Sequence, residues 1–291
     1  MVEDRTLAGR LFAAVNFALL TLIALVTVLP FIHVVAGSFT TSAEMAVKKF
    51  VLIPTDWSID AYKFIFSTNT IFRSLAVSIG ITACGTLFSM LISSMMAYGL
   101  ARRDLDGRRV FMFFVVFTML FNGGLIPTFL VVKELGLIDH YAALVLPISI
   151  NAFNLIILKN FFQNIPDGLE ESAKIDGCND FGILFRIVLP LSMPVIATIS
   201  LFYAVTYWNT YLNAIMYLNE SRMWPIQVLL RQIVVLASGL DYSSDLDSAV
   251  PPPDQAVKMA VIVVATLPIL LVYPFLQKHF AKGALLGSVK G

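Results

Sequence analysis

Six stretches of this chain run for about twenty residues without an aspartate, glutamate, lysine or arginine, and that pattern limits the folds open to it. They are Leu11–Ser38, Ser74–Ala101, Val110–Val132, Tyr141–Leu158, Ile187–Tyr207 and Met259–Gln277. A helix of about 20 apolar residues crosses the roughly 30 Å hydrocarbon core of a bilayer while satisfying its own backbone polar groups, which nothing in lipid would satisfy for it. Composition agrees: 58% of the 291 residues are hydrophobic and 13% are charged, against roughly 45–50% and 25% in soluble domains. So few charges cannot cover a water-facing surface. The expectation is an all-α polytopic membrane protein with six transmembrane helices. Pro30, Pro127, Pro147, Pro190, Pro194 and Pro268 lie in or beside these runs, a density that membrane helices tolerate. The first run is longer than the roughly 7–15-residue core of a secretory signal and reads as a retained span.

Orientation follows from the basic residues. With both termini cytoplasmic, the inner segments carry twelve of the 20 Lys and Arg, including Arg102, Arg103, Arg108 and Arg109 in one short loop, and the outer segments carry eight. That divides the chain into a cytoplasmic N-terminus (1–10), a transmembrane domain (11–278) and a cytoplasmic tail (279–291). Two long stretches, Thr40–Arg73 and Trp208–Lys258, fall outside, and Lys159–Arg186 falls inside. Trp208–Lys258 is the longer external stretch and ends in the stiff Pro251-Pro252-Pro253, so it reads either as a docking surface for a soluble partner or as a solvated spacer.

Several chemistries are missing from the sequence. His33, His140 and His279 are scattered, there is neither HExxH nor a Gly-x-Ser-x-Gly elbow, and Cys84 and Cys178 lie in different environments with no metal-ligand spacing. No GxxxxGK[ST] loop occurs, so ATP phosphates are not cradled here by that device. A net charge of +1 gives no reason to expect nucleic acid. Ion-coupled transporters place ionisable groups in their spans, and these spans have none. The polar residues left in or near them, Asn122, Asn151, Asn154, Asn209 and Asn213, are candidates for a translocation path, although hydrogen bonds between helices account for most such asparagines.

The informative inner segment is Ile165-Pro166-Asp167-Gly168-Leu169-Glu170-Glu171-Ser172-Ala173-Lys174-Ile175-Asp176-Gly177. Asp167 as N-cap with Glu170 three residues on suggests a capping box, and Gly177 a left-handed C-cap, which predicts a short helix over 168–176. Leu169, Ser172, Ala173 and Asp176 then share one face, too small to fold alone and suited to a partner's groove. Asn179 or Asp180 caps a second helix leading into the membrane.

Glu171-Ser172-Ala173, Asp176-Gly177 and Ile187-Val188-Leu189-Pro190 resemble the Glu-Ala-Ala…Gly…Ile-x-Leu-Pro signature of permeases of ATP-binding-cassette (ABC) importers, with Ser172 in place of the usual alanine. Gly287-Ser288-Val289-Lys290-Gly291 is similar to the tail of the six-span subunit of maltose-type carbohydrate permeases. Asn122-Gly123-Gly124-Leu125-Ile126-Pro127 and Gly136-Leu137-Ile138-Asp139 resemble the subgroup that takes up fragments of complex polysaccharides. The resemblance implies a bacterial inner-membrane permease paired with a second homologous permease. It also implies two copies of a cytoplasmic ATPase that hold the ATP and Mg, and a sugar-binding protein outside. It assigns Leu169, Glu171, Ser172, Ala173, Asp176, Gly177 and Pro190 to coupling with that ATPase and leaves this chain without a cofactor or catalytic residues of its own. The glycines and small residues of Gly283–Gly291 let backbone pack closely against the ATPase, or the segment is a frayed terminus. An oligosaccharide from a uronic-acid polymer such as alginate or pectin is the expected cargo. A passive sugar channel is the alternative, and the coupling helix, pointless without an ATPase, argues against it.

Overall fold

A computed structural model describes residues 6–48, 50–67, 69–236 and 255–288. In chain order the helices are α1 (Leu7–Ser38), α2 (Ser42–Val47), α3 (Asp60–Ser67), α4 (Asn69–Ala101), α5 (Arg108–Leu120), α6 (Leu125–Glu134), α7 (Ala142–Ile148), α8 (Ala152–Phe162), α9 (Asp167–Ile175), α10 (Asp180–Leu191), α11 (Met193–Trp208), α12 (Leu212–Tyr217), α13 (Ile226–Leu236) and α14 (Gln255–Ser288). Among the described residues an isolated bridge between Thr40 and Trp57 is the sole β pairing. The fold is the expected all-α one. Helix contacts divide it into two compact units, Met1–Asn69 with Leu230–Leu267, and Thr70–Leu229 with Pro268–Gly291.

In the first unit, α1 is apolar on every side and almost wholly exposed; within it only Ala36, Gly37 and Ser38 are buried. A helix with no polar face is unstable in water and stable in lipid. The segment after it, expected as an open external stretch, is organised around Glu44. Its side chain is 4% exposed. It accepts from Lys48 Nζ and the Thr40 hydroxyl at 2.8 Å, and from the backbone N–H groups of Thr55 at 3.0 Å and Asp56 at 2.9 Å. The Lys48 ammonium and these N–H donors hold the carboxyl far below its ordinary pKa.

In the second unit, three predicted spans are broken. Between α5 and α6 the chain turns by 117°, between α7 and α8 by 55°, and between α10 and α11 by 89°. The continuous runs Val110–Val132, Tyr141–Leu158 and Ile187–Tyr207 are therefore corrected to bent pairs. At the first break Gly124 has φ 88° and its N–H is capped by Asn122 Oδ1 at 2.9 Å. At the last, a π-helical stretch over Leu184–Val188 precedes Pro190, and Ser192 leaves the helical track, as proline and π-turns cause together.

The chain still traverses the unit. Gln163, just past α8, donates to the Ala101 carbonyl at the end of α4, whereas Asp139 N–H, before α7, donates to the Tyr217 carbonyl. Ser89 and Ser93 of α4 bond Tyr207 and Tyr203 of α11 at 2.7 and 2.8 Å, so α11 runs antiparallel to α4. Ile226 N–H then reaches Ser78 Oγ, and Asn219 bonds Asp139 through both its backbone and side-chain nitrogens. Buried Ser74, Ser78, Gly85, Ser89, Ser93 and Ala97 form one face of α4, the small-residue interface that lets membrane helices approach closely.

The expected external stretch after Trp208 is no spacer as far as Leu236. Ala214, Tyr217, Leu218, Ile226 and Val228 are fully buried, and the Trp224 indole donates to the Leu218 carbonyl. The triproline and its aspartates, together with Val289–Gly291, lie outside the described residues. The sixth span begins earlier than expected, at Gln255, and its backbone stays helical through Ser288, so most of the predicted tail continues the helix.

Candidate functional site

The site is the short helix α9 and the surface that carries it. Helix α9 starts at Asp167, with Pro166 as N-cap, and no side chain caps it; the predicted capping box and the start at 168 are corrected. Pro166 enters with φ −59° and its carbonyl accepts from Leu169 N–H, so the ring sets the first turn without help from Asp167. Glu170 instead approaches the Tyr98 hydroxyl of α4 at 3.4 Å. The other end follows expectation. Cys178 N–H bonds the Ala173 carbonyl, Gly177 N–H bonds the Lys174 carbonyl, and Gly177 has φ 80°, which together form a Schellman cap. Asn179 Oδ1 then accepts from Gly182 N–H and caps α10.

The predicted common face is split. Ala173 is buried in the second unit's core, whereas Leu169, Ser172 and Asp176 are exposed along with Glu171 and Gly177. Ile175, which the sequence reading passed over, is 86% exposed, an apolar side chain on a helix whose mean character is polar. Leu169 and Ile175, six residues apart and so about 120° from each other round the helix, are exposed apolar side chains of the kind a partner protein covers. Pro190 lies apart from α9, exposed at the α10–α11 bend.

What holds α9 in place was missed. Arg102, one residue past α4, is one-fifth exposed and uses its whole fork: Nε and Nη2 take both Asp104 carboxylate oxygens at 3.0 and 2.8 Å, while Nη1 takes Asp180. Its hydrogen bonds keep Asp104 ionised down to about 2. Lys174 Nζ stands 3.9 Å from the same Asp180 oxygen. In sequence Arg102 was one of four basic residues counted for orientation, and nothing local to it points to Asp180, 78 positions away.

The five asparagines are not gathered into one site. Asn122 and Asn151 cap helix breaks, Asn151 accepting from Asn154 N–H while its own N–H donates to the Tyr203 hydroxyl at 3.0 Å. Asn154 is buried, Asn209 donates to the Val205 carbonyl, and Asn213 is half-buried in α12. A cavity of about 850 Å³ in the second unit is bordered by Ile79, Thr86, Leu87, Leu201, Val205 and Leu271 among others, and by none of the five.

The sequence has clear counterparts among known proteins. Over 284 residues, covering 97% of this chain and 99% of the relative, it is 69% identical to the polygalacturonan/rhamnogalacturonan transport system permease protein YtcP of Bacillus subtilis. It is 54% identical to protein LplC of the same organism over 98% of this chain and 97% of that one. A crystal structure of a bacterial ABC transporter that imports the acidic polysaccharide alginate contains a chain of 34% identity that superposes with a TM-score of 0.87, covering 94% of this chain and 98% of that one. Residues 89–285 match the model for binding-protein-dependent transport system inner membrane components. The chain belongs to that family, the membrane-spanning permeases of ABC importers, and is a transport subunit whose ATPase is a separate protein.

Proposed function

We propose that this permease carries oligosaccharides of an acidic pectic polysaccharide, of the polygalacturonan or rhamnogalacturonan type, across the bacterial cytoplasmic membrane. The observation that carries the reading is identity of 69% along nearly the whole of both chains with a permease named for that cargo; the alginate importer, similar at 34%, also handles a uronic-acid polymer. In this reading both termini are cytoplasmic, and a second permease completes the pore. Two ATPase copies, holding ATP and Mg, sit beneath it, and a binding protein delivers sugar from outside.

Helix α9 seats in the ATPase through Leu169, Glu171, Ser172, Ile175 and Asp176. Ala173 locks it to the membrane domain, Gly177 sets its exit, and Pro190 the bend beyond. ATP acts by binding one state of the complex better than another, since a ligand shifts an equilibrium only by its differential affinity. Of the path residues, Asn122, Asn151 and Asn209 are exposed and each bonds nearby backbone, Asn213 is half-buried, and Asn154 is buried. The charge-free runs themselves offer no charge to a uronate, so selectivity lies mainly with the binding protein or the second permease.

The test is growth and uptake of labelled oligogalacturonides in the source bacterium. Deleting the gene should abolish both while leaving glucose uptake intact, and a plasmid copy should restore them. Unchanged oligogalacturonide uptake in the deletion strain would remove this cargo.

A further inference from the structure

We infer that Arg102 is a positioning residue for coupling, the strut through which movement of α9 is passed to α4; this rests on the importer reading above. Three observations carry it. First, Asp180 is the first residue of α10 and is separated from α9 by only the Asp176-Gly177-Cys178-Asn179 link, whose two ends are fixed by the Schellman cap and by the Asn179 cap. Displacement of α9 therefore displaces Asp180. Second, the Arg102 fork joins Asp180 to Asp104 and so to the end of α4 through three charge-assisted bonds on a side chain four-fifths shielded from water. Guanidinium forks hold direction as well as distance. The neighbouring pair Arg103–Asp167, 3.9 Å apart with both side chains more than two-thirds exposed, lacks those properties and is screened. Third, α4 is bonded to α11 by Ser93–Tyr203 and Ser89–Tyr207, and the same tyrosines bond Asn151 N–H and the Val145 carbonyl at the α7–α8 break. A pull on Arg102 thus reaches three traverses of the membrane domain through direct contacts.

The experiment uses the whole complex, with both permeases and the ATPase, in lipid nanodiscs. ATP hydrolysis is measured with and without the cognate binding protein saturated with a pectin-derived oligogalacturonide mixture. The variants are Arg102→Lys, Arg102→Ala, Asp180→Ala and the double Arg102→Ala/Asp180→Ala. A second readout independent of sugar is a fluorophore on Cys84, the exposed native thiol of α4, with the other thiols of the complex replaced, compared with and without ATP and vanadate. Expected are ATPase copurification and basal hydrolysis like wild type. The stimulation should fall by about five- to tenfold, a typical coupling magnitude, and the nucleotide-dependent signal at Cys84 should be lost. The double variant should be no worse than either single, because both remove one interaction. Lysine in place of Arg102 should not rescue, since it keeps the charge and loses the fork. Variants that couple and signal like wild type overturn the strut alone. Loss of ATPase from the variant complexes also overturns it, making Arg102 a docking residue. A wild-type chain that copurifies with no ATPase overturns the importer reading and the strut together.

Discussion

At the scale of single residues, α9 is defined by what each position cannot exchange. Gly177 has open space around it, so a larger side chain meets no clash, and its requirement is conformational: φ of 80°. Gly177→Val should cost about 1–2 kcal/mol locally and redirect the chain into Asp180. Transport and sugar-stimulated ATP hydrolysis should fall together while the protein remains inserted, as shown by membrane fractionation and an uptake assay; normal uptake would separate α9 from coupling. Glu171 is exposed and unneeded for the fold, so Glu171→Lys should leave thermal stability unchanged and weaken copurification of the ATPase. Glu44 is the contrasting case, a buried carboxylate fixed by Lys48, Thr40 and two backbone N–H groups. Its folded pKa is depressed, so its stabilisation is complete above the unfolded carboxylate value of about 4.3 and is lost only as pH falls through the lower folded value. Glu44→Gln should therefore lower the melting temperature at pH 7, and the difference from wild type should shrink as the pH is brought well below 4. A difference unchanged by pH would mean that the charge is not what Glu44 contributes.

At the scale of helices, what was legible in the sequence and what was not separate along physical lines. Charge-free length located the apolar helices, two of them continuous and three of them bent pairs among the described residues, because lipid imposes that requirement on each segment separately. Two of the caps were also legible, Gly177 and Asn179, whereas the Asp167 cap was not, because Pro166 sets that turn through its ring. The breaks at Asn122–Gly124, Ser149–Asn151 and Ser192 were not, because apolar composition is the same in a straight and a bent helix, and the groups that make a break tolerable come from other helices. Tyr203 is the example. Its hydroxyl serves Asn151 N–H at one side and Ser93 Oγ at the other, and it is buried to 1%. Serines and glycine spaced four apart in α4, with tyrosines four apart in α11, were the available signal of that contact. Tyr203→Phe keeps the ring, takes the acceptor from the Asn151 N–H and strands the fully buried Ser93 hydroxyl, which should destabilise the permease by about 1–3 kcal/mol. Thermal unfolding in nanodiscs measures it, and a melting point equal to wild type would show that another group takes over the N–H.

At the scale of the molecule, the bent helices make the number of crossings a question that hydropathy alone does not answer, because a pair turned by 117° is also what a re-entrant loop looks like. The contacts within the second unit decide it for the α5–α6 pair. Arg102, just before α5, bonds Asp180 at the Ala101 end of α4, and Asp139, just past α6, bonds Tyr217 and Asn219, a few residues before Ile226, whose N–H reaches Ser78 near the other end. Helix α4 between those two sides has 33 residues, about 50 Å at 1.5 Å per residue, more than the bilayer core. The pair therefore runs from one end of α4 to the other, and Asp139 meets Asn219 at the far end. With the basic loop Arg102–Arg109 inside, as the positive-inside rule requires, Asp106 should face the cytoplasm and Glu220 the exterior. Cysteine placed at Glu220 should react with a membrane-impermeant maleimide in protoplasts. Cysteine at Asp106 should react only after the membrane is permeabilised, and both variants should retain uptake. Labelling of both from outside would mean that α5 and α6 enter and leave on one face, and labelling in the reverse order would place α9 on the side of the membrane where no ATPase can reach it.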